Sequence, residues 1–163
     1  MRDVEREESD RDAEVERALH LWVVLSRAHA AVAAQARADV ARHGLTLGEF
    51  GVLEVLHHKG PLLLGEVQQK VLVSSGGITW LANRLEERGL VERRRSTDDR
   101  RASFVALTPA GARLMRRIFP AHARRIARAL SGLDAEAQRQ ATDLLRTLGR
   151  HAAAHDEGEP PEG

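Results

Sequence analysis

The sequence predicts a mainly α-helical fold that contains one small β element and takes helices from both ends of the chain. Apolar residues recur every three or four positions over residues 13–43 and again after residue 108, as in amphipathic helices. Between these segments, two short helical patterns and a charged hairpin follow one another. At 163 residues, 42% of them hydrophobic, the chain fits one compact domain or one protomer of an intertwined dimer.

The first predicted helix covers residues 13–43 and ends before Gly44, because this stretch contains neither glycine nor proline. A helix of about 30 residues would be about 45 Å long. A compact monomer of this size cannot cover such a helix, so we expect a second copy of the chain to share its burial. The apolar stripe consists of Val15, Ala18, Trp22, Leu25, His29, Val32, Ala36 and Val40.

The next helix begins at a predicted capping box, in which Thr46 and Glu49 each bond the other's backbone N–H. It ends at Lys59-Gly60-Pro61, and residues 62–64 could add a short third strand beside the hairpin. Two further short helices then follow, separated by a tight turn at residues 71–75.

The second of these short helices has Ser74 or Ser75 as its N-cap and Gly89 where a left-handed residue would end it. One face is apolar and should pack inward, with Ile78, Leu81, Ala82 and Leu85 at helical spacing. The opposite face carries hydroxyl, amide and guanidinium groups that can bond phosphates and base edges. Its residues are Ser75, Gly77, Thr79, Trp80, Asn83, Arg84 and Glu87.

A hairpin follows this helix, with arms at residues 90–91 and 103–107. Its tip, residues 93–101, holds five arginines and two aspartates and could reach a DNA minor groove. A solvated charged loop is the simpler interpretation of an isolated run of this kind. Directly after a helix-turn-helix pattern, the hairpin is better interpreted as a DNA-binding wing.

Residues 74–111, SSGGITWLANRLEERGLVERRRSTDDRRASFVALTPAG, are similar to the recognition helix and wing of the MarR family of bacterial transcriptional regulators. The similarity extends upstream through LTLGEFGVLEVLHHKGPLLLGEV and covers roughly residues 15 to 155. It implies a winged helix-turn-helix domain plus a helical dimerisation region from both termini. It also implies a homodimer that binds a palindromic operator in double-stranded DNA, and that represses by occluding a promoter.

The resemblance divides the chain into five segments. Residues 1–12 would be a disordered acidic tail, 13–43 a dimerisation helix, and 44–108 the winged helix-turn-helix domain. Residues 109–154 would be dimerisation helices, with Thr108 and Pro109 starting the first, Pro120 bending it and a last helix from about Asp134. Residues 155–163 would be a second disordered acidic tail.

The resemblance also implies roles for individual residues. Arg101 would enter the minor groove while Asp99 orients a neighbouring arginine, and Arg84 matches a recurrent arginine of the recognition helix. Two residues depart from the family pattern, since Asn83 stands where aspartate is common and Trp80 where a basic residue or tyrosine is common. Trp80 could instead pack against its own domain. The predicted DNA-binding residues are Ser74, Ser75, Gly77, Thr79, Trp80, Asn83, Arg84, Arg95, Asp99, Arg100 and Arg101.

MarR proteins commonly bind small aromatic, often phenolic, molecules between the dimer helices and the winged domain. Aromatic rings beside a few polar groups suit such a pocket. The predicted effector-binding residues are Trp22, Arg27, His29, Phe50 and His57. For Trp22 and Phe50 taken singly, a place in the core is the simpler interpretation.

The formal net charge of +1 conceals a segregation of charge along the chain. Residues 1–16 carry eight acids and three arginines, and residues 156–163 carry four acids and no base. The remaining residues 17–155 hold 22 basic and 12 acidic side chains, a net charge of +10. Such a body should bind DNA with an affinity that falls as salt rises.

The composition also bears on which other classes of protein the chain could belong to. The absence of cysteine excludes disulfides and a thiol-based oxidant sensor. The sequence contains neither a long apolar run nor a signal peptide, so we expect a cytoplasmic protein with no membrane partner.

The resemblance thus implies a repressor that a small aromatic or phenolic ligand releases from its operator, and three alternatives to it remain. Eight histidines permit a metal-responsive regulator, although they lack ligand-like spacing. An enzyme is disfavoured because phosphate-binding loops, HExxH and nucleophile elbows are missing, and the sequence suggests no cofactor. A winged-helix module that binds protein instead of DNA is the third.

Overall fold

The computed structural model describes residues 2–71, 75–95 and 103–155. It confirms the mainly helical fold with a small antiparallel sheet. The chain divides into two compact units, residues 1–126 and 127–163, which are described separately. In chain order the elements are α1 (Arg2–Ala41), α2 (Leu47–Lys59), β1 (Leu62–Leu63), α3 (Leu64–Val71), α4 (Ser75–Glu87), β2 (Val91–Arg95), β3 (Ser103–Leu107), α5 (Pro109–Ala129) and α6 (Ala135–His155).

The first helix begins eleven residues earlier than the sequence suggested. Helix α1 starts at Arg2, so the predicted disordered tail over residues 1–12 is wrong for residues 2–12. The segment contains neither glycine nor proline, the two residue types that disfavour a helix interior most strongly. Its glutamates and arginines have good helix propensity, so low hydrophobicity alone does not exclude a helix here.

The hydrophobic core of the first unit lies between α2, α3, α4, the sheet and the first half of α5. Helix α2 contributes Phe50, Leu53 and Leu56, and α4 contributes Ile78 and Leu85, all at most 2% exposed. Burying each such side chain stabilises the fold by about 1.5–3 kcal/mol. The core therefore fixes α4 by its apolar face and leaves the other face outward.

The sheet has the strand order β1-β3-β2, with both pairings antiparallel. Strand β1 confirms the predicted third strand, since Leu62 pairs with Val105 and Leu63 with Phe104. On the other side Arg93 pairs with Val105 and Arg94 with Phe104. The strand order places the arginine-rich strand β2 at one edge of the sheet.

Thr108 links the segment after α4 to the start of α5 through two hydrogen bonds. Gly89 has φ +65°, as predicted for the residue that ends α4. The Thr108 hydroxyl donates to the Gly89 carbonyl at 2.6 Å and accepts from the Gly111 N–H at 3.0 Å, so it caps α5 as predicted. Gly111 lets α5 lie against the backbone of Leu90, because a Cβ there would be 2.0 Å from the Leu90 carbonyl oxygen.

A buried polar cluster connects α1, α2 and α5. His122 Nδ1 lies 2.9 Å from Asp39 Oδ2, and Arg125 Nε lies 3.0 Å from Asp39 Oδ1. The His122 ring also packs on Phe50, with 4.3 Å between ring centroids. Asp39 and His122 are both buried, so each satisfies the hydrogen-bonding needs of the other inside the core.

The second unit consists of the end of α5 and helix α6. Asp134 caps α6, since its carboxylate accepts from the Ala137 N–H at 2.8 Å, which confirms the predicted start of this helix. The helical spacing of Leu144, Leu145 and Leu148 would place them on a buried face, yet all three are exposed in the single chain. None of the described helices is long and apolar enough to cross a membrane.

Candidate nucleic-acid interface

Helix α4 presents two different faces. Ile78, Leu81, Ala82 and Leu85 are buried, as their spacing predicted. Thr79, Asn83 and Arg84 are exposed, and Trp80 is 54% exposed. The core is therefore complete without Trp80, and the indole ring is available at the surface beside polar neighbours.

Glu49 anchors α4 to the start of α2. Its Oε2 accepts from the Thr46 N–H at 2.7 Å, while the Thr46 hydroxyl accepts from the Glu49 N–H at 3.1 Å, which confirms the predicted capping box. Glu49 Oε1 also accepts from Arg84 Nε at 2.7 Å and from Arg88 Nη1 at 3.2 Å. One carboxylate thus caps one helix and binds two arginines from another region of the chain.

The environment of Glu49 favours its charged form. The side chain is 0% exposed, and burial, the largest single influence, acts to raise its pKa. Hydrogen bonds from the Thr46 backbone, Arg84 and the Thr46 side chain, together with the charge of Arg88, outweigh burial and hold the pKa of Glu49 below its ordinary value. The ion pairs with the arginines are therefore intact at neutral pH.

Arg84 has two contacts that restrain its guanidinium group. Besides the bond to Glu49, its Cζ lies 5.4 Å from the centroid of the Trp80 ring, within reach of a cation–π interaction. The Arg84 side chain is still 48% exposed. The predicted DNA-binding arginine is thus held on one side and open on the other.

Asn83 is tied to the wing by Arg93 of β2. Arg93 Nη2 donates to Asn83 Oδ1 at 2.5 Å, and Arg93 Nε lies 3.7 Å from Glu86 Oε2. The Arg93 N–H also donates to Glu86 Oε1 at 3.3 Å. Asn83, which stands where aspartate is common in the family, thus contacts the wing through a neutral amide that accepts a hydrogen bond from Arg93.

Several predicted DNA-binding residues cannot be placed. Ser74, Asp99, Arg100 and Arg101 lie outside the described residues, as do the side chains of Ser75 and Arg95. Gly77 is half-buried near the start of α4. Within the described part of the wing, Arg94 is exposed and pairs with Glu92 at 2.5 Å.

The predicted effector residues occupy three different environments. Trp22, Arg27 and His29 lie on exposed surface of α1, and Trp22 is 65% exposed. Phe50 is buried against His122, so it belongs to the core. His57 is half-buried, and its ring centroid lies 5.8 Å from that of Phe119.

Over the described residues, no three histidine, aspartate or glutamate side chains come together as a metal site would require.

Comparison with known proteins gave consistent matches. A sequence model of the MarR family matches residues 43–102. The HTH-type transcriptional regulator MhqR of Bacillus subtilis (strain 168) is 38% identical over 137 residues, which are 84% of this chain and 94% of that protein. The HTH-type transcriptional repressor MdtR of the same organism is 31% identical over 116 residues, 71% of this chain and 74% of that protein.

The fold matches solved structures as well. One is BpsR of Bordetella bronchiseptica, described in work on the regulation of its DNA binding by 6-hydroxynicotinic acid. It superposes with a TM-score of 0.72 at 26% identity, over 80% of this chain and 98% of that one.

Proposed function

Because the chain belongs to the MarR family and is a DNA-binding transcriptional regulator, not an enzyme, we propose that it is a homodimeric repressor released by a small aromatic ligand. In this proposal the dimer places two α4 helices in successive major grooves of a palindromic site, about 10 base pairs apart, with the wings in the flanking minor grooves. Binding would occlude a promoter and so repress transcription.

The outward face of α4 is the observation that best supports binding to DNA. Its apolar side is buried, Glu49 holds it at Arg84, and Arg93 holds it at Asn83. A helix held on both sides presents its polar groups in fixed positions, which lowers the entropic cost of binding. The net charge of +10 over residues 17–155 supplies the attraction to phosphates that such binding needs.

The exposed apolar surface of α1 supports the homodimer. Val15, Leu19 and Trp22 lie at helical spacing on one face of α1, and all three are more than half exposed in the single chain. Leu21 and Val24 belong to a different face of the helix, beside a groove of about 570 Å³ that Glu16, Arg17 and His20 also line. Contiguous apolar surface of this kind is usually covered by a partner, and a second copy with the same helix is the partner we propose.

Ligand release rests on two observations. The similar protein BpsR is described as regulated by 6-hydroxynicotinic acid, an aromatic hydroxy acid. In this chain Trp22, Arg27 and His29 offer an indole, a cation and an imidazole on one exposed stretch of α1. An aromatic acid or phenol that prefers a dimer with a different spacing of the α4 helices would lower DNA affinity by the difference in its binding free energy between the two states.

The test is binding of the purified chain to the DNA upstream of its own gene and to a random duplex, at two salt concentrations. Each titration is repeated with a panel of phenols and aromatic acids, while tryptophan fluorescence is recorded. We expect specific, salt-sensitive binding that one of the compounds abolishes, with a change in fluorescence. Specific binding that no compound affects would contradict ligand release, and equal binding to both duplexes would contradict the repressor proposal.

A further inference from the structure

Trp80 is a large apolar side chain on the otherwise polar outward face of α4. We propose that Trp80 is a specificity-determining residue that contacts the 5-methyl group of a thymine in each half-site, and that Arg84 is a positioning residue for its ring. The inference rests on the proposed binding of α4 in the major groove, and it adds the base preference at one position.

The position of Trp80 on α4 directs its ring away from the core. Consecutive helical residues are separated by about 100°, so Trp80 lies about 160° round the helix from Ile78 and from Ala82. Both of those residues are at most 2% exposed, whereas Trp80 is 54% exposed. A helix that turns its outward face to the DNA would therefore bring the indole ring to the base edges in the groove.

The start of α4 allows a close approach of the helix to the DNA. The helix begins at Ser75, so Trp80 lies in its first half, and the N-terminal residues of a recognition helix are those that contact base edges. One turn before Trp80, on the same side of the helix, is Gly76, which is exposed. A Cβ added at Gly76 would meet no heavy atom within 4 Å. The indole ring is therefore the first large group on this side of the helix.

A chain of two contacts restrains the ring. Arg84 follows Trp80 by one helical turn, and its Cζ lies 5.4 Å from the centroid of the indole ring. Arg84 Nε in turn donates to Glu49 Oε1 at 2.7 Å, and the Glu49 side chain is 0% exposed. A buried carboxylate thus fixes the guanidinium group, and the guanidinium group restricts rotation of the indole. A restrained ring loses less conformational entropy when it meets the DNA.

The chemistry of the major groove identifies the base. The base edges in this groove carry hydrogen-bond donors and acceptors, and the 5-methyl group of thymine is the one alkyl group among them. Contact between the ring and this methyl group removes apolar surface from water on both molecules. Against a polar edge, the same ring would displace water from donors and acceptors without replacing most of their hydrogen bonds. The indole offers a single N–H donor on a large apolar surface, so thymine matches it best.

The experiment separates the methyl group from the rest of the base. The full-length protein selects binding sites from a random duplex library, and each thymine of the selected site is then replaced by deoxyuridine. Deoxyuridine lacks the 5-methyl group and keeps the hydrogen-bonding groups of thymine. The measured quantity is the ratio of the two dissociation constants at each position. Because each ratio compares two duplexes with one protein, a general loss of affinity in a variant cancels from it.

Four variants assign the contact to the ring and to its neighbour. Trp80→Ala removes the ring, and Trp80→Phe keeps a smaller one. Arg84→Gln removes the cation beside the ring. The matched control is Arg88→Gln, which removes the other arginine bound to Glu49, at 3.2 Å, and leaves the contact between Arg84 and Trp80 in place.

We expect deoxyuridine to weaken wild-type binding about fourfold at one position of each half-site, the effect expected for burial of one methyl group. Trp80→Ala should abolish the difference between thymine and deoxyuridine at this position alone, and Trp80→Phe should retain part of it. Arg84→Gln should reduce the difference, and Arg88→Gln should leave it as in the wild type. A purely structural role for Trp80 would weaken binding to both duplexes equally and leave the ratio unchanged.

Two results would overturn the thymine contact and leave the repressor proposal standing. In the first, a site is selected but none of its thymines responds to deoxyuridine. In the second, the responsive thymine keeps its wild-type ratio in Trp80→Ala. A wild-type ratio in Arg84→Gln would overturn the positioning role of Arg84. Failure of the wild type to select any site would instead overturn the repressor proposal, and the inference would fall with it.

Discussion

Removal of the Glu49 carboxylate is expected to loosen the recognition helix without removing any part of its outward face. In Glu49→Ala the Thr46 N–H loses its acceptor, and Arg84 and Arg88 both lose their partner. Loss of a helix cap costs about 0.5–2 kcal/mol. Hydrogen bonds to a charged group contribute about 1.5–3 kcal/mol each when buried.

The contribution of the two arginines to the free energy of unfolding must be reduced, because water weakens ion pairs that are partly exposed. Their side chains are 48% and 33% exposed, so after the substitution both regain water, and each bond is worth about 1 kcal/mol at most. We therefore expect Glu49→Ala to lower the free energy of unfolding by about 2–4 kcal/mol. Glu49→Gln keeps a side chain that can complete the capping box and should cost about 1–2 kcal/mol.

The assay is urea denaturation followed by far-ultraviolet circular dichroism, at one fixed protein concentration because a dimer is expected. A double-mutant cycle with Arg84→Ala isolates the coupling between Glu49 and Arg84. Because their bond is 2.7 Å and that to Arg88 is 3.2 Å, we expect the larger coupling for Arg84.

Acid pH gives an independent test of the same carboxylate. The pKa of Glu49 is lower in the folded chain than its ordinary value of 4.5, so the native state binds its proton less readily than the unfolded state does. The stability that this group supplies is present above pH 4.5 and is lost as the pH falls through the folded pKa. Glu49→Gln should therefore flatten the loss of stability in acid. A wild-type free energy of unfolding in Glu49→Ala, or an unchanged acid profile in Glu49→Gln, would refute this account of the anchor.

Three further substitutions test the fold and the dimer. Gly111→Ala should destabilise by more than about 2 kcal/mol, because its Cβ would meet the Leu90 carbonyl oxygen, whereas Gly149→Ala has open space in α6 and should be neutral or stabilising in the same denaturation assay. Asp39→Ala should cost about 2–4 kcal/mol, since it leaves a buried histidine without its acceptor, and a smaller loss in urea denaturation would contradict that role. Leu19→Glu, but not Leu19→Ala, should shift the chain from dimer to monomer in sedimentation experiments, and an unchanged dimer would exclude this α1 surface from the interface.

Local features of the chain were predictable from the sequence because neighbouring residues determine them. The capping box of Thr46 and Glu49 spans three residues, and the buried face of α4 follows from helical spacing alone. The left-handed Gly89 and the cap at Thr108 also depend on residue types at fixed local positions. For the same reason the family resemblance, which rests on such local patterns, gave the right fold.

Contacts distant in sequence were not predictable in this way. Glu49 meets Arg84 across 35 residues and Arg88 across 39, and Asp39 meets His122 across 83. Each pairing depends on how α1, α2, α4 and α5 pack, and a lone glutamate in a capping box gives no sign of it. Only a basic residue elsewhere in the chain could have suggested that Glu49 also forms ion pairs. The chain has 25 lysines and arginines, so the sequence does not indicate which of them would be the partner.

The early start of α1 could not be read from hydrophobicity for a different reason. Residues 1–16 contain eight acids, and a segment of such composition resembles a solvated tail. Hydrophobicity does not measure helix propensity, and the glutamates and arginines of this segment favour a helix.

Hydroxyl-radical footprinting of the full-length protein on a site selected from random DNA, combined with the stoichiometry of the complex, tests directly whether two α4 helices bind one site. We expect two protomers on each duplex and two protected segments on one face, about 10 base pairs apart, with protection that weakens steeply as salt rises. A single protected segment bound by one protomer, or protection that does not depend on sequence, would contradict the claim that paired α4 helices read an operator.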